Sequence, residues 1–156
     1  MIDDLYSARI LALAANMPHA GRLAAPHGTG ERVAKLCGSR AVVDVTLDGA
    51  GQIETFAQEV KACALGQAAA GVLGQAVIGA DVAEIRAARD AMIDMLKSGG
   101  DGPSGRFEGL RALKQVADYP ARHASTLVAV EATLEAVEQA MARRAPDTRT
   151  SLAGAA

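Results

Sequence analysis

The sequence predicts an α+β fold, a small antiparallel sheet of about three strands packed against a cluster of helices. Three observations carry this. Residues 42–47 alternate Val42, Asp44 and Thr46 with Val43, Val45 and Leu47 and run into Asp48-Gly49, the period and turn signal of a half-buried hairpin strand. From Ala64 onward the apolar residues recur at three and four residue steps. Hydrophobic residues make up 50% of the chain but aromatics only 3%, so alanine and aliphatic side chains fill the core. Alanine has the best helix propensity and lets helices approach closely.

In chain order, residues 2–15 read as a helix, with Ile2, Leu5, Tyr6, Ile10 and Leu13 at near-helical spacing and Asp3 and Asp4 in the first turn. Pro18 and Gly21 end it, and a loop runs from Asn16 to about Gly30. Within it Gly28-Thr29-Gly30 is a plain turn, since no Lys-Ser or Lys-Thr follows at phosphate-loop spacing. Residues 32–47 read as strand, interrupted by a bulge or bend at Cys37-Gly38. A second strand runs from Gln52 to about Ala62 and pairs with the first around Asp48-Gly49.

Helices are predicted over 64–77 and 81–97, the first with Leu65, Ala69, Val72 and Ala76 on one side, the second with Ile85, Met92, Ile93 and Leu96. The glycine-rich stretch from Ser98 to Gly105 is a flexible connection. A short helix covers about Phe107 to Val116. Asp118 is placed to cap a last helix, with Pro120 in its first turn and a core-facing stripe of Leu127, Val130, Leu134, Val137 and Met141. This gives one domain over residues 1–144 and a flexible tail over 145–156.

Composition narrows the function. The net charge is −2, from 16 basic and 18 acidic residues, with no basic run interleaved with aromatics, which argues against nucleic acid. The acidic opening Met1-Ile2-Asp3-Asp4 is unlike a secretory signal, and no 18-residue apolar run exists, so the expected location is cytoplasmic with no membrane partner. Two cysteines in such a compartment are not expected to form a disulfide. They are inert core thiols or reactive, metal-binding ones.

Their addresses favour chemistry. Cys37 sits at the break in the first strand region and Cys63 at the junction of the second strand with the helix from Ala64. Pairing around Asp48-Gly49 carries both toward the same open end of the hairpin. A helix N-terminus stabilises a thiolate, which suits Cys63, and thiolates are what zinc, iron–sulfur clusters and persulfide transfer require. His123, in the first turn of the last helix, is the third candidate, although a lone histidine there is more often a solvated surface residue. His19 and His27 are loop histidines and only distant alternates. A Cys63–His123 thiol enzyme is the unrelated alternative, with no acidic residue evident to orient the histidine.

The order and spacing of four blocks resemble the U-type iron–sulfur assembly scaffolds, the family of IscU, SufU and the N-terminal module of NifU, with the SufU branch nearest. Met17-Pro18-His19-Ala20-Gly21 is similar to the family's early Asn-Pro-Arg-Asn-x-Gly turn, and Cys37-Gly38-Ser39 to its Cys-Gly-Asp. Lys61-Ala62-Cys63-Ala64 falls where the family has its second cysteine, and Tyr119-Pro120-Ala121-Arg122 just before its third. Two ligands depart from the pattern, since the family's Asp is Ser39 and its third Cys is Ala124, while His123 matches a histidine of the IscU branch. The resemblance implies a non-enzymatic scaffold or carrier that holds iron or a labile [2Fe–2S] cluster on Cys37, Cys63 and His123. Its implied partners are a cysteine desulfurase and iron–sulfur acceptor proteins. It leaves two alternatives, a zinc-bound persulfide acceptor with Cys37 as the sulfur carrier, and a pseudo-scaffold that binds partners without metal.

Overall fold

A computed structural model describes the backbone of residues 8–15 and 17–155 and the side chains through residue 144. It contains α1 (Ala8–Ala15), β1 (Gly28–Ala34), β2 (Ser39–Leu47), β3 (Ile53–Lys61), α2 (Ala64–Ala76), α3 (Val82–Ser98) and α4 (His123–Ala155). Tight 3₁₀ segments over Gly105–Asp118 and Pro120–Arg122 join α3 to α4. The sheet is antiparallel throughout in the order β1-β2-β3. The α+β class expected from the sequence is the fold observed.

Alternation sorts the sheet into two faces. Ala41, Val43, Val45 and Leu47 of β2, with Ile53 and Phe56 of β3, form the face that packs under the helices, and all are buried. The long helix α4 lies across this face, and its own small residues Ala129, Ala132, Ala136 and Ala140 are buried against it. Contact is close enough to require glycine. A Cβ at Gly28 would stand 2.0 Å from the Ala136 carbonyl oxygen, and one at Gly30 2.0 Å from that of Ala132. Gly28-Thr29-Gly30 is therefore not a turn but the first half of β1, where the helix backbone rests on the strand backbone.

The first strand region corrects the expectation more broadly. Cys37-Gly38 is a full chain reversal, not a bulge, and divides the segment into β1 and β2, paired from Gly28↔Val45 to Ala34↔Ser39. Gly38 takes φ +73°, a left-handed value that a glycine adopts without penalty. The second hairpin turns at Asp48, whose Oδ1 accepts from the Ala50 and Gln52 amides.

The opposite sheet face is covered by the segment after α1. Asp44, expected to face solvent, has no exposed surface. Its carboxylate accepts from Arg22 Nε (2.6 Å), Thr29 Oγ1 (2.6 Å) and the Leu23 amide (3.0 Å). Burial alone raises the Asp44 pKa, and these donors outweigh it, so the carboxyl is held below its ordinary range. Residues 19–21 run along the free edge of β3, with hydrogen bonds between Gln58 and both His19 and Gly21.

Helix α2 is buried nearly all round, with Leu65, Ala68, Ala69, Ala70, Val72 and Leu73 inside, as a central helix must be. Helix α3 starts with a capping box between Asp81 and Glu84 and ends at a left-handed Gly99. Ile10 of α1 is buried in the same core, while Ile2, Leu5 and Tyr6 of the predicted first helix lie outside the described residues. One further expectation changes. Asp118 closes the preceding 3₁₀ segment and caps nothing in α4, which is entered through the turn Pro120–Arg122. The backbone of α4 runs on to Ala155.

Candidate sulfur and metal site

The sheet register delivers both cysteines to one end of the fold. Cys37 lies in the turn after Ala34, and Cys63 follows Lys61, which pairs with Arg40 on the adjacent strand. Cys63 occupies the N-cap position of α2 and makes no capping hydrogen bond with its side chain. Gly66, one turn into α2, lets this end press against α4, since a Cβ there would lie 2.8 Å from the Ser125 carbonyl oxygen.

That approach brings Ser125, buried in the first turn of α4, against Cys63. Its Oγ is 3.5 Å from Cys63 Sγ and donates to the Arg122 carbonyl at 3.1 Å. It is also within hydrogen-bonding influence of Cys37. A hydroxyl can turn its single proton onto a thiolate when one forms. On the other side Cys37 Sγ is 3.1 Å from Ser39 Oγ.

Cys37 is exposed and Cys63 half-buried, and both are free thiols. The Cys37 thiol is held below its ordinary pKa, first by the Ser39 hydroxyl and backbone amide, and further by Ser125 and the positive charge of Arg122. These groups stabilise the thiolate, the form that acts as nucleophile and metal ligand.

His123 does not join the sulfurs. Its Nε2 faces two carbonyl oxygens, Val116 at 3.0 Å and Ala117 at 3.2 Å, so this nitrogen carries the proton and donates. The ring lines a separate cavity of about 600 Å³ with Leu96, Lys97, Leu127 and Glu131. Of the three residues expected as ligands, the fold brings Cys37 and Cys63 to one end of the sheet, while His123 bonds to the Val116 and Ala117 carbonyls. Ala124 opens onto the same cavity. Among the described residues no three histidine, cysteine or carboxylate side chains converge. The histidines weighed as alternates are also engaged elsewhere. His19 stacks edge-on against Phe56, and His27 Nδ1 accepts from the Leu47 amide at 2.9 Å.

The family model for the NifU-like N-terminal domain matches residues 5–126. The chain belongs to this family. A crystal structure of a nitrogen-fixing NifU-like protein (N-terminal) from Brucella abortus is 47% identical, with a TM-score of 0.86 over 90% of this chain and 96% of that one. A SUF-system protein of Fervidobacterium islandicum AW-1, described as a candidate iron–sulfur cluster assembly scaffold, shares the fold at 21% identity. Its TM-score is 0.77 over 85% of this chain and 96% of that one. Comparison with curated proteins found no match.

The site holds two thiols, each with a hydroxyl beside it, Ser39 at Cys37 and Ser125 at Cys63. Two thiolates fall short of the four cysteines usual for a [2Fe–2S] centre and of the three or four protein ligands usual for zinc. Any ion held here keeps open positions for ligands from outside the chain. Ser125 was not visible to sequence reasoning as a site residue. The available signal was a polar residue one position after Ala124, at the start of an otherwise apolar helix. Among the described residues no helix is long and apolar enough to cross a membrane.

Proposed function

We propose that the protein is an iron–sulfur assembly scaffold or carrier, not an enzyme, that binds iron or a labile cluster as cargo between Cys37 and Cys63. The observation that carries this reading is the delivery of both cysteines to one end of the sheet, where a hydroxyl stands beside each sulfur, Ser39 at Cys37 and Ser125 at Cys63. Family membership supports the scaffold role. Incomplete protein ligation fits a carrier that must release what it holds, because outside ligands can enter without displacing a protein group.

The chain's own residues divide the work. Ser39 and Arg122 favour the thiolate form of Cys37, Ser125 supplies a rotatable donor beside Cys63, and the N-terminus of α2 presents Cys63. The test is anaerobic reconstitution with ferrous iron and sulfide, followed by visible absorption and metal analysis. A coloured species that is lost in both Cys37→Ser and Cys63→Ser is expected. A colourless, metal-free wild-type protein would overturn the reading.

The exposure and activation of Cys37 favour a second role at the same site, as sulfur acceptor from a cysteine desulfurase. The Cys37 thiolate would attack the outer sulfur of the desulfurase persulfide. One S–S bond forms, one breaks, and the desulfurase cysteine leaves as thiolate. Zinc bound at the two sulfurs, with outside ligands completing its shell, is the alternative metal for this role. Mass spectrometry after incubation with a desulfurase and cysteine should find one added sulfur on Cys37. Unmodified Cys37 would exclude this role. Iron–sulfur acceptor proteins are the proposed recipients, and the cytoplasm the proposed location.

A further inference from the structure

We infer that His27, Arg143 and Arg144 form a binding site for a small dianionic oxyanion of the phosphate type, at the end of the sheet remote from the cysteines. These residues, with Pro26 and Ala140, line a cavity of about 360 Å³. That is within the usual range for small-ligand sites, near its lower end. Between Ser125 and Arg143 the helix rises about 27 Å at roughly 1.5 Å per residue, so this cavity is separate from the sulfur site.

The donors are fixed in place by the fold. Arg143 Nη1 donates to the His27 carbonyl at 2.9 Å. Arg144 Nη2 donates to the carbonyls of Leu47, at 3.0 Å, and Asp48. Each guanidinium has five N–H donors, so most remain unused. His27 Nδ1 accepts from the Leu47 amide, which leaves the ring proton on Nε2 as a third kind of donor. The wall beneath is backbone on backbone, since a Cβ at Gly28 would lie 2.7 Å from the Ala140 nitrogen.

Neither arginine has a carboxylate partner among the described residues. The neighbouring Asp48 carboxylate is turned into its own hairpin, accepting from Ala50 and Gln52. Two permanent positive charges with planar forks match a dianion whose oxygens accept several N–H groups at once. Pro26 and Ala140 are the only aliphatic lining, so the cavity is built of polar donors and offers little apolar area to a larger ligand. The ligand class is therefore inorganic phosphate or the phosphate of a small monoester.

Isothermal titration calorimetry of the full chain with inorganic phosphate at low ionic strength tests this. Saturable binding at one per chain is expected, weakened at least tenfold in Arg143→Gln and several-fold in His27→Gln. Succinate, a dianion with planar carboxylates, is expected to bind more weakly than phosphate. Amide NMR of the unmutated chain gives a readout independent of variant folding, with phosphate shifting His27, Leu47, Asp48, Arg143 and Arg144. The inference is overturned by the absence of saturable binding, by equal affinity in a folded Arg143→Gln, or by succinate binding as tightly. Shifts confined to the cysteine end would also overturn it.

Discussion

Substituting Gly30 by alanine tests how α4 is seated on the sheet. The added methyl carbon would stand 2.0 Å from the Ala132 carbonyl oxygen and 2.7 Å from the Ala136 nitrogen. Carbon and oxygen without a covalent bond need at least about 3 Å, so helix and strand must separate by roughly 1 Å. Neither partner atom is a flexible side chain that could swing away. Separation opens the interface of Ala132, Ala136 and Val43, all fully buried. Overpacking of this kind costs about 1–3 kcal/mol. Against it stands the lower unfolded-state entropy of alanine, worth about 0.4–1 kcal/mol in the opposite direction. The net expectation is a loss of roughly 1–2 kcal/mol, read as a fall of about 2–8 °C in Tm for a domain of this size. Gly49→Ala is the internal control, because nothing lies within 4 Å of its Cβ position. Thermal unfolding followed by circular dichroism should show Gly30→Ala clearly below wild type and Gly49→Ala at or near it. Equal melting of the two variants would refute the backbone-on-backbone seating. Since α4 also carries Ser125, a displaced helix should weaken metal binding at the cysteines as well.

Other outcomes follow from the same contacts. Asp44→Asn should destabilise the protein by about 1–3 kcal/mol by weakening charge-assisted hydrogen bonds to a buried group, measured by urea unfolding. Because the Asp44 pKa is lower folded than unfolded, its contribution is present above the ordinary carboxylate range and disappears as pH falls through the folded value. Stability measured across acid pH should accordingly drop less steeply in Asp44→Asn than in wild type. Ser39→Ala should move the pH midpoint of Cys37 alkylation upward, since the hydroxyl is the largest influence holding that thiol down, and an unchanged midpoint would deny it this role. His123→Gln should leave the metal content of the reconstituted protein unaltered, because the ring bonds to Val116 and Ala117, and loss of metal would return His123 to the site.

The sequence carried a large part of this architecture through local chemistry. Asp48-Gly49 marked the second hairpin, and the helices predicted over 64–77 and 81–97 are observed as Ala64–Ala76 and Val82–Ser98. The addresses of Cys37 and Cys63 followed from strand register, which period-two alternation makes readable. What stayed hidden depends on contacts between distant segments. Gly28 and Gly30 looked like turn residues because the helix that needs them lies more than 100 positions away. Asp44 looked solvent-facing because its cover, Arg22 and Leu23, comes from a loop without periodicity. His123 has a suitable ligand atom, but its direction is set by the carbonyls of Val116 and Ala117, which no spacing rule reports. Ser125 was overlooked because a serine in a first turn ordinarily serves its own helix, as its bond to the Arg122 carbonyl does.

Two sulfurs acting as one site can be tested directly by titrating the reduced protein with cadmium and following thiolate-to-metal absorption in the ultraviolet. Tight saturation at one ion per chain is expected in wild type, with the tight phase abolished in Cys37→Ser and equally in Cys63→Ser. If each single variant keeps half of the signal at undiminished affinity, the sulfurs bind independently, and the shared site does not exist.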